Sequence, residues 1–158
     1  METIKKILSY FIFYLIQFTW GILHNIIGIV LAIWMLITGH KPHLCGPYIY
    51  FVNEKFAGCV DGGIFFVTTN QSATSTNLHE MGHGLQNLIW GPLMVFVICI
   101  PSCIRFWYRV WYYEKKYPKT GIALEPYDAI WFEGQATRWG AKYWSHIWYK
   151  HLAKQKNN

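Results

Sequence analysis

The chain has 158 residues, enough for one domain around one core. Apolar residues make up 53% of it and charged residues only 14%, against roughly a quarter in an ordinary soluble domain, which argues against water as the sole solvent. The net charge of +6 is uneven: ten of the fourteen Lys and Arg lie at or after Arg105, which suits a membrane surface better than a nucleic-acid groove.

Residues Ile7–Ile37 are almost uninterrupted apolar and follow Lys5 and Lys6, so the first segment, residues 7–38, reads as membrane-embedded. The run is too long for a signal peptide. Gln17, His24 and Asn25 interrupt it beside Gly21 and Gly28. Two readings stay open: one long tilted helix with a polar stripe, or a helical hairpin bending near Gly21–Gly28. After the loop Gly39–Pro47, the stretches Tyr48–Asn53 and Ile64–Thr69 are rich in β-branched and aromatic residues, and Asp61-Gly62-Gly63 is a turn signal between them. Residues 48–69 therefore read as a β-hairpin. The Ser/Thr/Asn cluster Asn70–Asn77 then caps a helix expected over 76–90.

Residues 91–113 form an apolar and interfacial segment. Leu93–Ile104 is too short to cross a bilayer alone, and with Pro92 and Pro101 it reads as a dip or a kinked continuation. The aromatic and basic run Arg105–Tyr113 reads as an interfacial belt rather than a base-stacking surface. Glu114–Glu125 is expected to be a charged loop and 127–152 a last amphipathic helix. Of the four cysteines, Cys99 and Cys103 sit one helical turn apart and read as small apolar side chains, while Cys45 and Cys59 flank the expected hairpin with their pairing left open.

The chemistry concentrates in His79-Glu80-Met81-Gly82-His83. On a helix, positions i and i+4 share a face, so both imidazoles reach one ion. Zinc takes two such nitrogens and a third protein ligand, leaving a position for water. Glu80, next to the first histidine, can then accept a proton from that water. Gln86 follows at i+7 on the same stripe, where it can support the site. The third ligand must come from elsewhere; Asp61, Glu125, Asp128, His24, His40, His43, His146 and His151 are available, and Glu133 is preferred. It lies in an aromatic helix with Ala129, Ala136 and Gly140 on or near its face, and small residues let two helices approach closely. A carboxylate there needs a partner, and a zinc ion is one. His40 and His43 span a proline and read as interfacial histidines.

His79–His83 with Glu133 about fifty positions later resembles a gluzincin, and Glu133–Ala136 is similar to the E-x-x-A motif of membrane zinc peptidases of the CaaX-protease and HtpX types. Those proteins carry Asp where Thr137 stands; Thr137 or Gln86 would take over its support of a histidine ligand. The chain also resembles small bacterial membrane proteins with H-E-x-G-H-x-x-Q followed by G-P-L and P-S, here His79–Gln86, Gly91–Leu93 and Pro101-Ser102. Their W-x-L-P-Q-N-x-x-G segment corresponds to Trp20–Gly28, with Leu23 and His24 as departures.

The expectation is a mainly α membrane protein, apolar helices with a small β-hairpin packed beside the zinc-binding helix. His79, His83 and Glu133 bind Zn²⁺, Glu80 is the general base, Gln86 and Thr137 support the ligands, and Ile64, Phe65, Phe66 and Val67 offer an edge strand to an extended substrate. Tyr143 and Arg138 are candidates for stabilising the oxyanion. The function expected is hydrolysis of a membrane-associated polypeptide in the bacterial inner membrane, with the catalytic face cytoplasmic by its basic residues, the thiols reduced, the bilayer and a peptide as partners and nucleic acid excluded. The alternative is a non-catalytic membrane protein with a structural or vestigial zinc site. The sequence leaves the oligomeric state open.

Overall fold

The computed structural model describes residues 2–155 apart from 57 and 72. The first apolar run is two helices, α1 (Glu2–Phe18) and α2 (Ile22–Ile37), bent by 92° at the break. The bend at Gly21 is pinned by a buried amide network. Gln17 donates to the Gly84 carbonyl at 2.7 Å, and its own side-chain carbonyl accepts from Asn25 at 2.8 Å and Asn87 at 2.6 Å. Asn25 Oδ1 in turn accepts the Ile64 backbone N–H at 3.0 Å. The polar residues in this apolar run thus serve as its internal fastening.

The region expected as a hairpin is a four-stranded sheet of order β1-β2-β4-β3, with β1 Pro42–Cys45, β2 Tyr48–Val52, β3 Val60–Gly62 and β4 Phe65–Thr68. β2 and β4 pair in parallel, so they are not the two arms of one hairpin. Two tight turns, at Gly46 (φ +58°) and Gly63 (φ +75°), close the antiparallel pairs β1–β2 and β3–β4, which then lie side by side. The Asp61-Gly62-Gly63 signal turns the chain between β3 and β4. Consequently Ile64, Phe65, Phe66 and Val67 present no free edge: β4 is flanked on both sides, and the sheet edges are β1 and β3. Period-2 alternation splits the strands between two cores. Tyr48, Tyr50 and Phe66 pack with Phe13, Met81 and Trp148, while Phe51 and Val67 pack with Ala32 and Met35 of α2. Each of these large apolar side chains contributes about 2 kcal/mol on burial before its entropy cost.

The motif helix α3 spans Thr74–Trp90. A turn at Gly91–Leu93 reverses the chain, and the following helical stretch, Val95–Thr120, makes an angle of 113° with α3. Within it α4 is Ile100–Trp111 and α5 is Tyr117–Thr120, separated by a wider π turn at Tyr112–Lys116. Pro101 does not bend it: the preceding turn, Val95–Cys99, is also π, and its wider ring accommodates the missing N–H. The segment expected as a charged loop from Glu114 remains helical until Gly121 (φ +65°) ends it in the left-handed conformation. The last helix, α6, runs Trp131–Gln155, after a single 3₁₀ turn at Tyr127–Ala129 and an extended Ile130. All four cysteines are free thiols, so Cys45 and Cys59 do not pair.

No single described helix is long and apolar enough to cross a membrane; the two bent pairs meet the length and composition requirement only together. Their outer faces are apolar and exposed, with Phe11 and Leu15 on α1, Val30 and Ile33 on α2, and Ile104 and Trp107 on α4.

Candidate metal centre

The metal-ready face of α3 meets α6 at backbone contact. A Cβ on Gly82 would fall 2.0 Å from the Ala136 carbonyl oxygen, and one on Gly140 would fall 1.7 Å from that of Leu78. Only glycine permits this approach, and it carries Glu133 to the histidines. His79 Nε2 and His83 Nε2 lie 3.1 Å apart, and Glu133 Oε2 is 3.1 Å from the first and 3.3 Å from the second. These are the only three His, Cys, Asp or Glu side chains among the described residues that converge in this way.

The far side of each ligand is held. His83 Nδ1 lies 2.7 Å from Gln86 Oε1. The Gln86 amide nitrogen donates to the Phe132 carbonyl at 2.7 Å, so the atom facing His83 is the acceptor and His83 Nδ1 must carry the proton. Its Nε2 lone pair therefore points at the other two ligand atoms. His79 Nδ1 lies 2.9 Å from Thr137 Oγ1, which can accept in the same sense. Glu133 Oε1 accepts from Ser102 Oγ, itself 3.0 Å from the Tyr127 hydroxyl.

Glu133 Oε2 is buried and makes no hydrogen bond of ordinary geometry. Burial alone would raise the Glu133 carboxyl, but the imidazoles of His79 and His83 and the hydroxyl of Ser102 outweigh it and hold the group well below the usual carboxylate range. Lone pairs converging on one point, with a fixed proton on the far side of His83, form a site that a cation satisfies. In a tetrahedral site with bonds of about 2.0–2.1 Å, neighbouring donors stand about 3.3 Å apart, close to the spacing found here. The residues therefore fit a bound divalent ion.

Glu80 is buried beside this triad and, with His79 and His83, lines a cavity of about 870 Å³. Burial first, then the negative charge of Asp61, raises its carboxyl above the usual carboxylate range. Asp61 belongs to a second pair on the cavity wall: its Oδ2 lies 3.2 Å from His24 Nε2. The pair is set by another glycine contact, Gly28 of α2 against Gly62 of β3.

Of the sequence candidates, the structure brings together His79, Glu80, His83, Glu133, Gln86 and Thr137. It leaves Ile64, Phe65, Phe66 and Val67 inside the sheet. His40 bonds Thr38 and His43 stacks on Tyr50, away from the triad. Asp128 stands on the cavity wall without joining the ligands. Tyr143 lines a separate depression with Leu85 and Trp139, and Arg138 does not line the cavity. Sequence reasoning missed Ser102 and Tyr127 as members of the site, and it weighed His24 and Asp61 as third ligands, whereas they pair with each other on the cavity wall. Ser102 falls in the P-S pair after the apolar stretch, which was its only signal. Arg105 and Arg109, read as belt residues, donate to the carbonyls of Glu125, Pro126 and Tyr127 and so fasten the loop carrying Tyr127 over the cavity. Comparison with known proteins finds no matching family, no matching curated protein and no matching solved structure.

Proposed function

We propose that the protein is a membrane-embedded zinc metallopeptidase. The observation that carries this reading is the triad itself: two nitrogens and one carboxylate oxygen at mutual distances of 3.1–3.3 Å, each ligand fixed from behind. Such an N₂O set suits zinc and leaves a position for substrate. A structural ion is normally enclosed by four protein ligands, whereas this triad stands at the wall of a large cavity.

The ion would be held by His79, His83 and Glu133, and when bound it supplies Lewis acidity to the reacting oxygens. Gln86 and Thr137 keep the imidazole nitrogens turned inward, and Ser102 holds the other Glu133 oxygen. Glu80 takes a proton from the attacking water as its oxygen bonds to the peptide carbonyl carbon. When the C–N bond breaks, Glu80 returns that proton to the leaving amine. Its place on the cavity wall next to the two histidines suits it to both directions of transfer. The Tyr127 phenol lines the same cavity, and burial raises it to about 12, so it remains a hydrogen-bond donor at neutral pH.

The membrane reading rests on the exposed apolar side chains along the two bent helix pairs, which meet the length and composition of a membrane segment together. Both pairs dip into the lipid and return, which keeps His79 and Glu133 on one side as their meeting requires. The basic residues after Arg105 favour the cytoplasm for that side.

The test is metal analysis of detergent-purified protein with a peptidase assay on membrane polypeptides. Wild type is expected to hold about one zinc per chain. Glu80→Gln should keep the zinc and lose hydrolysis. Zinc retained after combined replacement of His79 and His83 by Ala would sink the reading.

A further inference from the structure

The cavity at the triad is lined by exposed residues of two kinds. Ile27 of α2, Val60 of β3, and Cys103 and Trp107 of α4 are apolar and exposed. Lys55, Ser75 and Asp128 are polar and exposed. The apolar ones on α2 and α4 continue along the outer faces of those helices. Ile27 is followed at i+3 by Val30, which is 63% exposed. On α4, Cys103, Trp107 and Trp111 repeat at i+4 along one stripe, and Trp107 is 56% exposed although it also lines the cavity. A side chain that is both cavity wall and outer surface marks an opening. Here that opening is flanked by the faces assigned to lipid, while the polar residues belong to the segment after β2, the start of α3 and the loop before α6.

We propose that the cavity opens sideways into the bilayer across Ile27, Val60, Cys103 and Trp107, so that its substrate is an apolar polypeptide segment arriving from lipid. This rests on the membrane metallopeptidase reading and adds to it a route and a substrate class. The cavity volume of about 870 Å³ accommodates a short peptide stretch. Its walls at Phe56, Ile98 and Phe106 offer apolar contact up to the triad. A segment leaving lipid over the apolar residues stays desolvated until its peptide bond reaches Glu80, while the polar ones admit the water that hydrolysis consumes.

Spin labels in lipid nanodiscs, where both membrane faces are open to reagents, test the route. A Cys59→Ser, Cys99→Ser background keeps the buried Cys45, out of reach of the reagent, and places the label on native Cys103. Adding Cys103→Ser makes room for Ile27→Cys, Val30→Cys or Ser75→Cys. Retained zinc shows that each variant folds. Collision rates with oxygen, which enriches in lipid, and with nickel–EDDA, which stays in water, are compared. At Cys103 and Ile27→Cys the oxygen-to-nickel ratio is expected to match that of Val30→Cys and to exceed that of Ser75→Cys several-fold. A ratio at Cys103 and Ile27→Cys equal to that of Ser75→Cys, with Val30→Cys still in lipid, overturns the sideways opening and leaves the membrane reading intact. A water-like ratio at Val30→Cys as well overturns both.

Discussion

Two histidine–carboxylate clusters face one cavity, and they are built differently. In the first, His79, His83 and Glu133 converge three ligand atoms, and the rear atoms bond Thr137, Gln86 and Ser102. In the second, His24 and Asp61 meet through one contact of 3.2 Å, and His24 Nδ1 is buried without a hydrogen-bond partner. A contact distance near 3 Å between imidazole and carboxylate is common to both, so distance alone does not make a metal site. The supporting shell does: a nitrogen whose partner fixes the proton behind it is a ligand in waiting, because its lone pair has no other destination. The second cluster offers two donors and no such support, and its evident effect is electrostatic, through the Asp61 charge on Glu80.

The sharpest way to break the comparison is to remove one histidine from each. His83→Ala is expected to abolish zinc binding in metal analysis, whereas His24→Ala keeps about one equivalent. Loss of zinc in both would make the two clusters one site. Next come the paired glycines. Gly140→Ala should force α3 and α6 apart, cost about 1–3 kcal/mol in detergent unfolding and release the ion with Glu133. Gly28→Ala, whose Cβ would fall 1.9 Å from the Gly62 carbonyl oxygen, should cost comparable stability yet leave zinc stoichiometry unchanged.

A smaller effect is expected from the supporting shell. Gln86→Leu removes the acceptor that orients His83, and chelator competition should show zinc held about 10–100-fold more weakly. Unchanged affinity would mean that packing alone orients the ring. The smallest change is Thr137→Asp, which gives His79 Nδ1 a carboxylate acceptor. Zinc is expected to bind modestly tighter in the same titration, and weaker binding would show that Thr137 serves by its size.

The motif was legible because helical periodicity is local: i and i+4 share a face whatever the rest of the chain does, so His79, His83 and the position of Glu80 follow from spacing. Glu133 was legible for a related reason, since a carboxylate beside small residues on an aromatic helix needs a cationic partner and has room for a second helix to bring one. The strands were legible as strands but not as partners. Tyr48–Val52 and Phe65–Thr68 have the composition of a hairpin, and nothing local distinguishes an antiparallel neighbour from a parallel one. The short β3, with two glycines at its turn, carries too little side-chain signal to be seen, yet it takes the edge position assigned to β4. Helix continuity from Val95 to Thr120 was hidden by Pro101 and Pro118, because wider π turns relieve what a regular helix would not tolerate.

By itself, then, the sequence determined the two histidines on one helix face, the carboxylate between them in the motif, the preference for Glu133 as their partner and the apolar excess, all properties of composition or of neighbours within one or two helical turns. Tertiary structure decided what lies behind and around them. That Gln86, one turn from His83, also bonds Phe132, that Ser102 holds Glu133, and that Arg105 and Arg109 fasten the loop carrying Tyr127 depend on contacts between residues in different elements. Their common origin is the approach of α3 and α6 through Gly82 and Gly140: spacing along a helix tells which side chains share a face, but only the absence of a Cβ at the crossing brings the second helix close enough to complete the site.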